Sequence, residues 1–180
     1  MNLFKINWTK KNKIQEITSN RGFTLVELLI VIVILGILAT IGLSTFASSQ
    51  QKSRDAKRKT NLAQVAEALE LYYNDKGQYP GSDGSGQMNG CGENATGTCT
   101  WGSSAFSNTT TGTVYMIKLP EDPASNTYFY IASAVGTSPN KKYQLYARLE
   151  NENDPSLITT AIDCGSLTCN YGVSSGNTTP

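Results

Sequence analysis

Histidine is missing from all 180 residues, which removes the side chain most used as a general base near neutral pH. The serines fall in loop-like stretches with no base beside them, and no glycine-rich phosphate loop follows a strand. No catalytic constellation remains, and the chain is expected not to be an enzyme. Proline is absent between residues 23 and 74, so nothing in that stretch interrupts a helix. Charge is scarce, at 16% of residues, and from Gly22 to Ala39 the sole charged side chain is Glu27, at the mouth of an otherwise apolar run. A carboxylate deep in a bilayer costs roughly 3 kcal/mol on insertion scales, so such a residue is read as a functional site whose partner must be found.

What charge there is lies in blocks. Residues 1–22 hold Lys5, Lys10, Lys11, Lys13 and Arg21 against Glu16, a net +4. KSRDAKRK at 52–59 adds five bases and Asp55, another +4, and everything after Thr60 carries five bases and eleven acids, a net −6. Basic residues ahead of an apolar run hold the N-terminus in the cytoplasm and send the C-terminal part outward. The four cysteines agree with that direction. Cys91, Cys99, Cys164 and Cys169 form two local pairs in the exported part, as two disulfides would, although three connectivities are formally possible. Local pairing would join Cys91 to Cys99 and Cys164 to Cys169. Zinc is the rival reading and a poor one, because spacings of C-x7-C and C-x4-C lack a close knuckle and histidine is absent.

The apolar pattern from residue 23 to about residue 75 predicts one continuous helix whose character changes near residue 48. Its first half, Leu28 to Leu43, is apolar all round, as a lipid-immersed helix must be. Its second half is amphipathic: Leu62, Val65, Ala66, Leu69, Tyr72 and Tyr73 recur at steps of three and four, with Lys59, Asn61, Glu67 and Glu70 off that stripe. About 20 residues cross a bilayer, so the second half must stand in water or against protein. NDKGQYP (74–80) should end the helix. Residues 81–112, rich in Gly, Ser, Thr and Asn, read as a stapled loop of little regular structure. TYFYIA (127–132) and YQLYARL (143–149) alternate as strands do, SLITTAI (156–162) is a weaker third, and AVGTSPNKK (134–142) suits a hairpin loop. The polar tail, 171–180, is expected to fray. Laid across the helical stripe, the strands would bury one face of each element, giving an α+β fold of a long N-terminal helix packed on a small antiparallel sheet.

Arg21-Gly22-Phe23-Thr24-Leu25-Val26-Glu27, running into a long apolar helix, resembles the processing site of type IV prepilins and type II secretion pseudopilins. The resemblance implies that a membrane aspartic protease, the prepilin peptidase, cuts after Gly22 and N-methylates Phe23. A glycine there leaves the backbone open to the protease. It implies too that Glu27 pairs with the new amine of Phe23, on its own or a neighbouring subunit, as a neutralised pair that an apolar filament core tolerates. Further implied partners are other copies of the subunit, an assembly ATPase with its platform, and the inner membrane before assembly. QVAEALELYYNDKGQYP (64–80), followed by Leu119-Pro120-Glu121-Asp122-Pro123 and paired strands, resembles the major pseudopilin branch. That branch holds a calcium ion in the region where Glu150, Glu152, Asp154 and Asp163 stand here, although ENEND is also ordinary loop composition. No cofactor is expected, calcium being the one candidate weighed. Near Ser44, where family members often carry proline, this chain has none.

Two plainer readings compete for residues 21–46: a secretory signal cut after Thr45-Phe46-Ala47, or a simple single-pass anchor. Neither requires Glu27. KSRDAKRK reads first as a solvated helical turn at the outer end of the membrane segment, and next as a contact for acidic heads of neighbouring subunits. A single basic cluster without interleaved aromatics is weak support for DNA. Tyr72, Tyr73, Tyr128, Tyr130, Tyr143 and Tyr146 read as head core and strand faces. Asn94-Ala95-Thr96, Asn108-Thr109-Thr110 and Asn177-Thr178-Thr179 are glycosylation sequons that a Thr-rich chain produces easily.

The expected organisation is a leader at 1–22, a membrane and filament-core half-helix at 23–47, an amphipathic half-helix at 48–75, a head at 76–170 and a polar tail at 171–180. The expected function is that of a structural subunit of a type IV pilus-like surface filament, made as an inner-membrane precursor. The alternatives are the major pseudopilin of a type II secretion or DNA-uptake system, and a membrane-anchored binding or adhesion protein that never polymerises.

Overall fold

The computed structural model describes residues 22–180, so the expected leader lies outside the described residues except for Gly22. The chain divides into two units, one ending at Leu43 and the other running from Ser44 to Pro180. Helix α1 (Leu25–Lys76) contributes to both.

In the first unit the apolar character is all on the outside. Side chains from Leu28 to Leu38 are each at least half exposed and Phe23 is 92% exposed. An 18-residue window has a mean hydropathy of 2.8 with none of it buried, which is long and apolar enough to cross a membrane.

The second unit begins on the amphipathic part of α1 and turns back at its end. Gly77 adopts φ +68°, and its N–H donates to the Tyr73 carbonyl at 2.7 Å, a left-handed cap that costs glycine nothing. Beyond it come β1 (Gly81–Ser82), β2 (Met88–Cys91), β3 (Gly97–Cys99), β4 (Phe106–Asn108), β5 (Thr113–Met116), β6 (Phe129–Val135), β7 (Ser138–Ala147), β8 (Ile162–Asp163), β9 (Thr168–Cys169) and β10 (Tyr171–Ser174). They pair antiparallel as β1-β2-β3, β4-β5, β10-β7-β6 and β8-β9. Leu62, Val65, Ala68, Leu69 and Tyr72 of α1 are buried against Phe106, Tyr115, Leu119, Tyr128, Tyr130, Tyr143 and Leu145. Each large aliphatic removed from water there contributes roughly 1.5–3 kcal/mol. Tyr72 stacks on Phe106 at 5.3 Å between ring centroids and meets Tyr115 edge-on at 5.0 Å. The long helix and antiparallel sheets make this an α+β, pilin-like fold.

Several sequence expectations are corrected. Residues 81–112 are not an irregular loop: they hold β1 to β4, with Met88 and Phe106 fully buried. Short strands rich in Gly, Ser and Asn have little intrinsic β signal, and here the Cys91–Cys99 bridge closes the β2-β3 pair and supplies what composition does not. The stretch 156–162 is strand only at its end, because Asp154 takes the backbone into a turn, accepting from Ser156 N–H at 2.9 Å. The expected hairpin loop at 134–142 shrinks to a turn at Gly136-Thr137, with Val135 opposite Ser138. The tail does not simply fray: Tyr171–Ser174 pairs along β7, and Ser175 beyond it is buried. Asn61, placed off the helical stripe by its polarity, is also buried, donating to the Tyr128 hydroxyl at 2.7 Å.

Candidate functional site

The N-terminal motif is the first site. A Cβ built on Gly22 meets nothing within 4 Å, and Gly22 does not occupy the left-handed region. Neither packing nor backbone geometry among the described residues therefore requires a glycine there. Thr24 and Glu27 form a reciprocal cap at the start of α1. The Thr24 N–H and hydroxyl each donate to the Glu27 carboxylate at 2.8 Å, and the Glu27 N–H donates to Thr24 Oγ1 at 3.2 Å. Glu27 is thus held by Thr24, one residue beyond Phe23, in a chain where the Phe23 nitrogen is still an uncharged peptide. The T-x-x-E spacing that announces this cap was present in the sequence as Thr24-Leu25-Val26-Glu27.

The second site is a buried ion cluster that sequence reasoning missed. KSRDAKRK is not a uniformly solvated turn: Lys52 and Lys57 are exposed, but Arg58 is fully buried and Asp55 nearly so. The reason lies in the spacing 55, 58, 62, 65, 69, 72, which places Asp55 and Arg58 on the same face of α1 as the apolar stripe. Arg58 grips Asp122 with two prongs, Nε at 2.6 Å and Nη2 at 3.0 Å, and its Nη1 reaches Asp55 at 2.7 Å and Glu150 at 2.8 Å. Arg54 also pairs with Glu150. Asp55 in turn accepts the backbone N–H of Glu150 at 2.9 Å and of Asn151 at 2.8 Å. Asp122 accepts from Ala124 N–H at 2.8 Å and Asn126 N–H at 3.3 Å. One guanidinium thereby ties the helix, the 122–126 turn and the segment after β7. Burial alone would lower the Arg58 pKa, but the three carboxylates outweigh it and raise it, so the cation is permanent.

The candidate calcium ligands do not gather around one point. Glu150 serves Arg54 and Arg58, while Asp154 takes Lys59 at 2.7 Å to both oxygens. Asp163 accepts the Gly165 N–H at 2.9 Å, and Glu152 is exposed. Among the described residues no group of three or more His, Cys, Asp or Glu is gathered around a point that could hold a metal. Of these four carboxylates, Glu150 and Asp154 are held by cations of α1 and so are not free to ligate a calcium ion.

These pairs carry a pH dependence. The Arg54 hydrogen bond, joined by Arg58, draws the Glu150 carboxyl down to about 2, and the Lys59 hydrogen bond draws Asp154 down to about 2. Both are depressed below their ordinary values, so the stability they contribute is complete above about pH 4.5 and is lost as pH falls toward 2. The thermal midpoint of the second unit should therefore decline across that window, and Glu150→Gln should flatten the decline. A midpoint insensitive to pH from 4.5 to 2 would contradict the assignment.

Disulfides join Cys91 to Cys99 and Cys164 to Cys169, the local pairing, with no free cysteine among the described residues. Each closes a short loop and contributes about 2 kcal/mol by loop entropy. Cys164 and Cys169 clamp β8 to β9 and pack against Tyr146, Ile158 and Leu167, a small satellite core.

Two family profiles match the chain. That of the prokaryotic N-terminal methylation motif covers residues 17–43, and that of type II secretion system (T2SS), protein G covers residues 45–151. Among similar proteins, the type IV major pilin protein PilA of Myxococcus xanthus is 43% identical over 60 residues, 33% of this chain and 27% of the pilin. The type II secretion system core protein G of Pectobacterium carotovorum is 35% identical over 63 residues, 35% of this chain and 40% of that protein. The core protein G of Pseudomonas aeruginosa is 31% identical over 120 residues, 62% of this chain and 72% of its own length. The first two matches thus span well under half of the relatives' lengths. No solved structure matches the chain.

Proposed function

The chain belongs to the type II secretion system protein G family, one of structural pilins and pseudopilins rather than enzymes, and from that premise we propose that it is a structural subunit of a type IV pilus-like filament. The observation that carries the proposal is the first unit: a helix with an apolar surface exposed all round, opening on a methylation motif. Such a surface needs lipid before assembly and neighbouring helices after it. In this reading the prepilin peptidase cuts between Gly22 and Phe23 at the inner membrane and methylates Phe23. Glu27 then pairs with the Phe23 amine, an assembly ATPase and platform drive polymerisation, and residues 23–47 enter the filament core. The head forms the outer surface, at the cell surface or in the periplasm. The reading as major pseudopilin of a secretion machine is favoured by the profile match across 45–151.

Electron microscopy and mass spectrometry of material sheared from the cell surface test the first reading. Filaments containing this chain, beginning with N-methyl-Phe23, are the expected result. Their absence, with loss of protein secretion on deleting the gene, would favour the pseudopilus. Gly22→Val should accumulate as uncleaved membrane precursor, because the side chain obstructs the cut, while the described fold, in which a Cβ at Gly22 meets nothing, is left intact. A mature N-terminus at Ser48 would instead identify a secretory signal and remove the filament reading.

A further inference from the structure

Beside Trp101 the head has a groove of about 280 Å³, just under the ~300–1,000 Å³ usual for small-molecule pockets, so it suits a ligand of about one ring. Its lining is mostly polar. Gln87, Thr100, Glu121, Asn126 and Thr127 contribute side chains that make no hydrogen bond or ion pair among the described residues. Trp101, in contrast, is fixed in place. Its Nε1–H donates to the Gly86 carbonyl at 3.1 Å, and its ring meets Tyr128 edge-on at 5.5 Å. Gly86 sits at φ +90°, where a Cβ would collide with the Phe129 ring, so that carbonyl is aimed by a backbone shape that glycine alone permits there. Gly102, at φ +77°, lets Glu121 fold close against the Trp101 loop, since a Cβ at Gly102 would come within 3.1 Å of the Glu121 side chain. The opposite wall is the 122–126 turn, pinned through Asp122 to Arg58.

We propose that this groove binds a neutral sugar ring. The chemistry excludes the main competitors. No lysine or arginine lines the groove and Glu121 is acidic, so phosphates and carboxylates are repelled. The Asp122 oxygens are already spent on Arg58 and the backbone, which leaves one free carboxylate, too few for a metal ion. An apolar ligand would leave five polar side chains unpaired. A pyranose satisfies both halves of the lining: its C–H face lies on the indole, and its adjacent hydroxyls donate to Glu121 and exchange hydrogen bonds with the Gln87 and Asn126 amides. The proposal rests on the groove alone and is independent of whether the chain forms a pilus or a pseudopilus.

The test is saturation-transfer NMR on the full chain in a sugar-free zwitterionic detergent. The probes are the methyl glycosides of glucose, galactose and mannose, and N-acetylglucosamine, with sorbitol as an open-chain control. At least one pyranose should show saturable transfer to its ring C–H protons with a dissociation constant on the order of 1 mM, while sorbitol shows none. Glu121→Gln and Trp101→Phe should each weaken that binding about tenfold or more. Near-ultraviolet circular dichroism checks that each variant is folded. Should Trp101→Phe fail that check, Glu121→Gln, a change at an exposed side chain, decides alone. Absence of transfer to all four sugars, transfer no greater than to sorbitol, or binding unaffected by Glu121→Gln would each overturn the proposal.

Discussion

Arg58→Met is expected to lower the thermal midpoint of the head by roughly 10–20 °C, the equivalent of about 3–5 kcal/mol for a unit of this size. The guanidinium is fully buried and is the shared partner of Asp55, Asp122 and Glu150. Removing it leaves the Asp55 and Asp122 carboxylates buried without their cation, while Glu150, partly exposed, keeps Arg54 alone. Asp122 loses two of its four hydrogen bonds and would release the 122–126 turn. A loss of that size is a large part of the about 5–15 kcal/mol that holds a typical domain folded. Lys59→Met breaks only a half-exposed pair with Asp154 and should cost about 1 kcal/mol or less. Arg58→Lys should fall between the two, since an ammonium cannot reproduce the two-pronged grip on Asp122. Thermal unfolding of the detergent-solubilised chain, followed through the near-ultraviolet signal of the tyrosine core, measures all three. If Arg58→Met melted within about 2 °C of the unaltered chain, the cluster would not be what joins helix and head.

The same cluster marks where sequence reasoning stopped. Leu62, Val65, Leu69 and Tyr72 were legible as a buried stripe because their apolarity and their spacing agree, and all four are buried. Asp55 and Arg58 continue that spacing, yet their charge argued for solvent. Only the arrival of Asp122 and Glu150 from 64 and 92 residues away makes their burial tolerable. Such long-range pairing has no local signature, and nothing in the acidic run at 150–154 marked Glu150 and Asp154 as counter-ions for α1. The two long strands β6 and β7 were legible through alternation, and β8 to β10 were not. Those are two to four residues long and owe their pairing to Cys164–Cys169 and to the free edge of β7. At the other end of the chain the membrane-type helix was legible outright, because a run apolar on every side needs no partner to be recognised. The Thr24 cap was also local and present in the letters. It was hidden behind the stronger question of why Glu27 is there at all.

That question is answerable by two substitutions that separate the roles of Glu27. In the uncleaved chain the carboxylate caps α1 through Thr24. After cleavage the proposed partner is the amine of Phe23, one residue further along. Glu27→Gln keeps a side chain able to accept from the Thr24 N–H, so the cap survives while the charge is lost. Glu27→Leu loses both. Processing after Gly22 should continue in both variants, since neither alters Gly22 and both make the helix more compatible with lipid. Assembly should fail in both. An incoming subunit would carry an unpaired ammonium into an apolar core, and breaking one side of a buried pair costs about 3–5 kcal/mol, or roughly two to four orders of magnitude in the equilibrium for subunit addition. Cleaved protein should accumulate in the membrane fraction, identified by its N-terminal mass, with few or no filaments in sheared material. Normal filament yield from Glu27→Gln, with failure confined to Glu27→Leu, would mean that the helix cap and not the charge pair is what assembly requires.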